Sequence, residues 1–152
     1  MKIDITKNEY RLLLDLLYLG EWMLNSHDLG EDPAKSRYVD VVQKFYSYAE
    51  EMDCGHLIDA FKDENRYYPN SKYEETSGVL EITQDYDEQS FWQELVGRLS
   101  DRDALRSLSG NDMKDLTPAE YVELTYPFED KYYSEFEANG LDNLVLRSSR
   151  ED

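Results

Sequence analysis

The chain has 152 residues, 34 acidic and 16 basic, for a formal charge of −18, and it is 40% hydrophobic and 13% aromatic. A chain of about 150 residues buries roughly 70% of its unfolded surface, so one core suffices without a metal or disulfide staple, and the aromatic content exceeds that of disordered chains. A surface this negative repels nucleic-acid backbones and anionic lipid, both of which are bound through lysine and arginine, and so excludes direct contact with either.

In chain order, Ile5-Thr6-Lys7-Asn8-Glu9-Tyr10 writes a helix start. Thr6 is the cap, Glu9 closes a capping box, and Ile5 with Tyr10 is spaced as a hydrophobic staple. The first helix is predicted from Thr6 to about Ser26. Leu13, Leu14, Leu17 and Leu24 fall on one side and Leu12, Leu16, Leu19 and Met23 on another. A third line carries Arg11, Asp15, Tyr18, Trp22 and Asn25. A helix apolar nearly all round belongs at the centre of its domain or at a dimer interface.

The second helix starts at the Asp32 cap with Pro33 and is predicted to end near Cys54-Gly55. Its apolar stripe is Tyr38, Val41, Val42, Phe45, Ala49 and Met52, and Asp40, Gln43, Lys44, Ser47, Glu50 and Glu51 face away. His56 to about Arg66 reads as a short third helix, broken by Tyr67-Tyr68-Pro69-Asn70-Ser71. Residues 72–84 stay open between helix, strand and loop. Val79 to Thr83, like Ile3 to Ile5 and Leu144 to Leu146, fits a strand as well as a helix.

Asp87 reads as a cap, with Tyr86 and Phe91 as its staple, followed by a helical face of Phe91, Trp92, Leu95, Val96 and Leu99. Ser100-Asp101-Arg102-Asp103 reads as a break and new cap, and Ser109-Gly110-Asn111-Asp112 as a loop. Leu116-Thr117-Pro118-Ala119-Glu120-Tyr121 repeats the first capping box with proline at the first helical position. The residues after the two boxes differ, so the likeness is shared capping chemistry and not an internal repeat. The last helix sets Tyr121, Leu124, Phe128, Tyr132 and Phe136 at steps of three and four through Pro127, which predicts a kink or two short helices ending at Asn139-Gly140. The expected architecture is all-α: a single-domain bundle of about five to six helices over residues 1–146, with a flexible tail at 147–152.

Chemistry is sparse. The seven glycines, at positions 20, 30, 55, 78, 97, 110 and 140, build no nucleotide-binding loop, and no GxSxG elbow is present. His27 sits where an imidazolium meets the negative end of the first helix dipole. A zinc site from Cys54, His56 and His27 falls short of the four cysteine or histidine ligands a structural zinc takes. Asp53 precedes His56 at the spacing of a di-iron ligand pair, but neither histidine has a glutamate there. Asp85 to Ser90 opens like a calcium loop and then places Ser90 where glycine is needed and Val96 where glutamate is needed. Pairs such as Glu120 with Glu123, or Glu129 with Asp130, read as solvated helix faces. The sequence thus nominates no catalytic, cofactor or metal residue and leans away from an enzyme. The lone Cys54 and the absence of a secretory signal at the first residues lead to a cytoplasmic expectation, and no apolar run approaches the ~20 residues of a membrane span.

Charge is uneven: residues 1–50 carry −3, residues 51–100 carry −8 and residues 101–152 carry −7. Trp22, Tyr67, Tyr68, Tyr132 and Tyr133 are the candidates for protein contact, because tyrosine and tryptophan join a large apolar body to a polar handle. Two functional expectations follow. One is a non-enzymatic interaction or adaptor module that meets a protein partner or forms a homodimer. The other is an acidic decoy, comparable in composition to DNA mimics and immunity proteins, that occupies the cleft of a basic nucleic-acid-binding protein.

Overall fold

The computed structural model describes residues 2–26, 33–108 and 116–145. Among them lie α1 (Lys7–Asn25), α2 (Pro33–Tyr46), a 3-10 turn (Gly55–Leu57), β1 (Ile58–Phe61), β2 (Arg66–Pro69), α3 (Ser71–Ser77), α4 (Val79–Ser107) and α5 (Pro118–Asn139). The protein is predominantly helical, with one small hairpin, and no helix among the described residues is long and apolar enough to cross a membrane. The Asp32 cap, His27, the Ser109–Asp112 loop and the tail at 147–152 lie outside the described residues. The chain divides into two compact units, Met1–Tyr86 and Asp87–Asp152, with the boundary inside α4.

The first unit is built on α1. Both halves of its capping box form: Glu9 N–H donates to the Thr6 hydroxyl and Thr6 N–H donates to the Glu9 carboxylate. The same reciprocal pair closes the start of α5, between Thr117 and Glu120. Thr6→Ala and Thr117→Ala are each expected to lower stability by about 1 kcal/mol, read as a shift in a urea unfolding curve.

From α1, Tyr10 and Leu14 enter a core completed by Val42, Tyr46, Ala49, Cys54, Leu57, Ile58, Tyr73 and Val79. The Tyr10 hydroxyl donates to the Phe45 carbonyl at 2.6 Å. Expected at the centre of its domain or at a dimer interface, α1 leaves Leu12, Leu16 and Met23 63%, 67% and 55% exposed within this chain. Of the third line, Arg11, Asp15, Tyr18 and Trp22 are half-buried and Asn25 is exposed. The line's polar groups find partners within the unit, which removes the cost of covering them.

Regular α2 stops at Tyr46, short of the predicted Cys54-Gly55. The chain continues in turns that end with Asp53 in the left-handed region (φ 59°), Cys54 N–H donating to the Ala49 carbonyl at 2.8 Å and Asp53 N–H to that of Glu50 at 3.3 Å. That pair of bonds is a Schellman stop. The buried line of α2 is Val42 and Tyr46, whereas Tyr38 and Val41 are exposed. Gln43, expected to face away, turns inward: its side-chain amide donates to the Tyr67 carbonyl at 2.9 Å and accepts from Tyr67 N–H at 2.8 Å. It covers the free edge of β2 as a neighbouring strand would.

The short helix predicted over 56–66 is replaced by the antiparallel hairpin, with Ile58 opposite Pro69 and Ala60 opposite Tyr67. Leu57, Ile58 and Phe61 fit a helical face, but Asn65 takes a left-handed turn position (φ 50°) that asparagine tolerates, and the aromatic Tyr67-Tyr68 pair favours a pleated surface. The open segment 72–84 resolves into α3 and the start of α4, separated by Gly78 at φ 76°, where a side chain would be strained. Asn70 caps α3 by accepting from Tyr73 N–H at 3.1 Å.

In α4 the expected helix start at Asp87 and break at Ser100–Asp103 are both overturned, since the helix is continuous. Aspartate and serine favour a helix start but remove no backbone hydrogen bond, so they do not interrupt a helix already propagating. The second unit buries Val96, Ser100 and Ala104 from α4 and Thr125 from α5. Helix α5 is one element through Pro127, which sets aside two short helices there, and it ends at Gly140 as predicted.

Candidate functional site

Along α1 the spacing i, i+3, i+4, i+7 brings Tyr18, Glu21, Trp22 and Asn25 to one flank, beside Pro69 at the end of β2. With Ser26 they line an open cleft of about 300 Å³. Tyr18 is fixed by a hydrogen bond from its hydroxyl to Glu74 at 3.0 Å and by its ring against that of Tyr73, 5.5 Å between centroids. Trp22 is held edge-on to Tyr86, 6.2 Å between centroids at 88°. The Asn25 amide nitrogen donates to the Glu21 carbonyl at 2.9 Å, which leaves the amide oxygen as an acceptor.

Glu21 is the charged member. Burial raises the pKa of its carboxyl, partly offset by the neighbouring Tyr46 hydroxyl. Tyr46 is 1% exposed, and its hydroxyl lies near enough to act on Glu21 yet makes no hydrogen bond of ordinary geometry. Glu21 also borders a shallow recess toward α2 lined by Leu24, Lys35, Tyr38, Val39 and Val42.

On the same flank of α1, nearer its N-terminus, Arg11 pairs with Asp15 while its guanidinium lies over the Tyr73 ring, 4.7 Å from the centroid. The Tyr73 hydroxyl donates to Asp15 at 2.7 Å, and burial followed by this bond pushes its pKa far above the ordinary tyrosine value. Every charge in this triad has a partner, so it is a structural joint between α1 and α3. Burial also raises the Cys54 thiol, which disfavours the thiolate a nucleophile or metal ligand needs. Its zinc-site companion His56 is exposed, and no three histidine, cysteine or acidic side chains converge among the described residues.

The chain matches no protein family, and neither a curated protein nor a solved structure is significantly similar to it.

The five nominated residues separate. Trp22 lines the cleft. Tyr67 points inward from β2 against the core, and Tyr68 points outward, its ring 5.5 Å from that of Phe61 across the hairpin diagonal. The alternation of a strand puts neighbours on opposite faces, which accounts for the pair. In the second unit the Tyr132 hydroxyl donates to Asp103 and accepts from Arg102 at 2.9 Å, and its ring stacks on Phe136 at 5.8 Å. Phe136 in turn meets Trp92 at 5.5 Å. Tyr133 is exposed. Tyr132 is therefore part of a clasp between α4 and α5, centred on Asp103, to which Arg102 donates at 2.8 Å. Sequence reasoning passed over Glu21, Tyr46 and Asp103. The signal for Glu21 was its i+3 step from Tyr18 and its adjacency to Trp22, hidden among 34 acids.

Proposed function

We propose that the protein is a non-enzymatic interaction module that docks a basic partner protein along the outer line of α1. The observation that carries this reading is the exposure of Leu12, Leu16 and Met23 on one line of a single helix. Exposed apolar side chains gathered this way mark contact surfaces. Complete burial of one such side chain contributes about 1.5–3 kcal/mol, so three that are already partly covered yield less than about 9 kcal/mol. Association alone costs about 4–15 kcal/mol. The line therefore positions a partner without holding it, and the charge of −18 supplies the remainder if the partner is basic. A second copy would bring like charge against like charge.

The test is a pulldown from host lysate at low and high salt with the wild type and with Leu16→Glu. A partner retained by the wild type, weakened by salt and lost with Leu16→Glu supports the reading. Equal retention by both proteins, or a light-scattering mass of about twice 17.9 kDa at micromolar concentration, overturns it.

Helix α4 favours a second reading, the acidic decoy, because it sets the exposed Glu81 and Asp85 a step of four apart on one helix. Such carboxylates lie about 5–6 Å apart. A decoy is displaced from its partner by duplex DNA, whereas an adaptor bound elsewhere on that partner is not.

A further inference from the structure

We propose that the cleft formed by Tyr18, Glu21, Trp22 and Asn25 is a receptor for a single arginine side chain presented by a basic partner protein. The inference deepens the interaction reading above and rests on it for the source of the arginine, but it concerns a flank of α1 distinct from the Leu12, Leu16 and Met23 line.

Three observations carry it. First, the chain already shows how it holds a guanidinium: Arg11 lies over the Tyr73 ring, 4.7 Å from its centroid, and pairs with Asp15. The acceptor half of that arrangement, an aromatic ring beside a carboxylate, recurs on the same helix at Tyr18, Trp22 and Glu21. There no cation among the described residues pairs with the carboxylate, and an open cleft borders Glu21. Second, Glu21 is half-buried, and the hydroxyl beside it, that of the fully buried Tyr46, makes no hydrogen bond of ordinary geometry. A carboxylate withdrawn from water without a cation is costly to keep charged, and a bound guanidinium removes that cost. Third, the cleft volume of about 300 Å³ lies at the lower limit of small-ligand sites, which run from about 300 to 1,000 Å³, and so suits one side chain better than a cofactor.

Arginine fits better than lysine. Its planar, weakly hydrated guanidinium stacks on aromatic faces and carries five donors in a fixed fork, enough to meet Glu21 and the free Asn25 amide oxygen together. Tyr18 and Trp22 need no rearrangement to receive it, since Glu74 and Tyr86 already hold them.

The test is a titration of the full chain, carrying Trp92→Phe so that Trp22 is the sole tryptophan, with a tetra-arginine peptide and its tetra-citrulline counterpart. The arginine peptide should change Trp22 fluorescence saturably and more weakly as salt rises, and citrulline, isosteric but neutral, should not. Glu21→Gln should weaken binding roughly ten- to hundredfold, the range for loss of a hydrogen bond to a charged group, with an unchanged circular dichroism spectrum. Leu16→Glu should leave peptide binding intact, which separates failure of the cleft from failure of the docking line. The proposal is overturned if tetra-citrulline binds as well as tetra-arginine, if Glu21→Gln binds as the wild type does, or if the wild type shows no saturable response. Because the citrulline comparison uses no Glu21 variant, it stands even if Glu21→Gln fails to fold.

Discussion

Leu14→Ala should destabilise the Met1–Tyr86 unit by about 2–5 kcal/mol, whereas Leu12→Ala and Leu16→Ala should each fall within about 0.5 kcal/mol of the wild type. Leu14 is fully buried among Tyr10, Val42, Tyr46 and Tyr73, so truncation removes apolar burial and leaves a cavity that its aromatic neighbours cannot readily fill. Leu12 and Leu16, two residues to either side of it, stand 63% and 67% exposed and lose almost no packing. Urea unfolding followed by Trp22 fluorescence in a Trp92→Phe background reads this unit alone, since each unit holds one of the two tryptophans. Equal effects at the three leucines would show that α1 is buried differently from the arrangement described.

The same three leucines show where sequence reasoning stops. A helix with leucines on two sides offers two equally good buried faces, and spacing cannot choose between them. The choice is made by Tyr73 and Glu74, about sixty residues away, which satisfy Asp15 and Tyr18 and so let the polar line of α1 be covered. Signals confined to a few residues were legible: both capping boxes formed as written, and Gly140 ended α5. Signals that needed a partner were not. The face of Leu57, Ile58 and Phe61 suited a helix until the turn at Asn65 and the Gln43 clamp on Tyr67 made the hairpin. The cap read at Asp87 and the break and new cap read over Ser100–Asp103 had the right chemistry, but Asp103 is spent on Arg102 and Tyr132 instead of on a helix terminus. At the candidate site, Trp22 stood out because its side chain joins a large apolar body to a polar handle, and Glu21 did not because acids are abundant.

Asp103 also gives the second unit an acid-sensitive clasp. The hydrogen bond from Arg102, then that from Tyr132, and the nearby charges of Arg102 and Arg106 push its carboxyl down to about 2 from an ordinary 3.8. A group whose pKa is depressed by folding contributes stability that is fully present above its unfolded value and disappears as pH falls through its folded value. The Asp87–Asp152 unit should therefore weaken between about pH 4 and pH 2. The gap corresponds to roughly 2 kcal/mol at most. The side chains of Arg102 and Arg106 are 44% and 69% exposed, so solvent screening reduces the expected contribution to about 1–2 kcal/mol. Glu120 and Glu135, in the same unit, are also held below their ordinary value, by Thr117 and by Asn143 with Asn139 respectively, so the wild-type acid response contains more than Asp103. Asp103→Asn isolates it. Unfolding followed by Trp92 fluorescence in a Trp22→Phe background should show the variant less stable by about 1–2 kcal/mol at pH 7 and the two proteins converging toward pH 2. If the difference is the same at both ends of that range, Arg102 and Tyr132 hold the helices together without relying on the Asp103 charge.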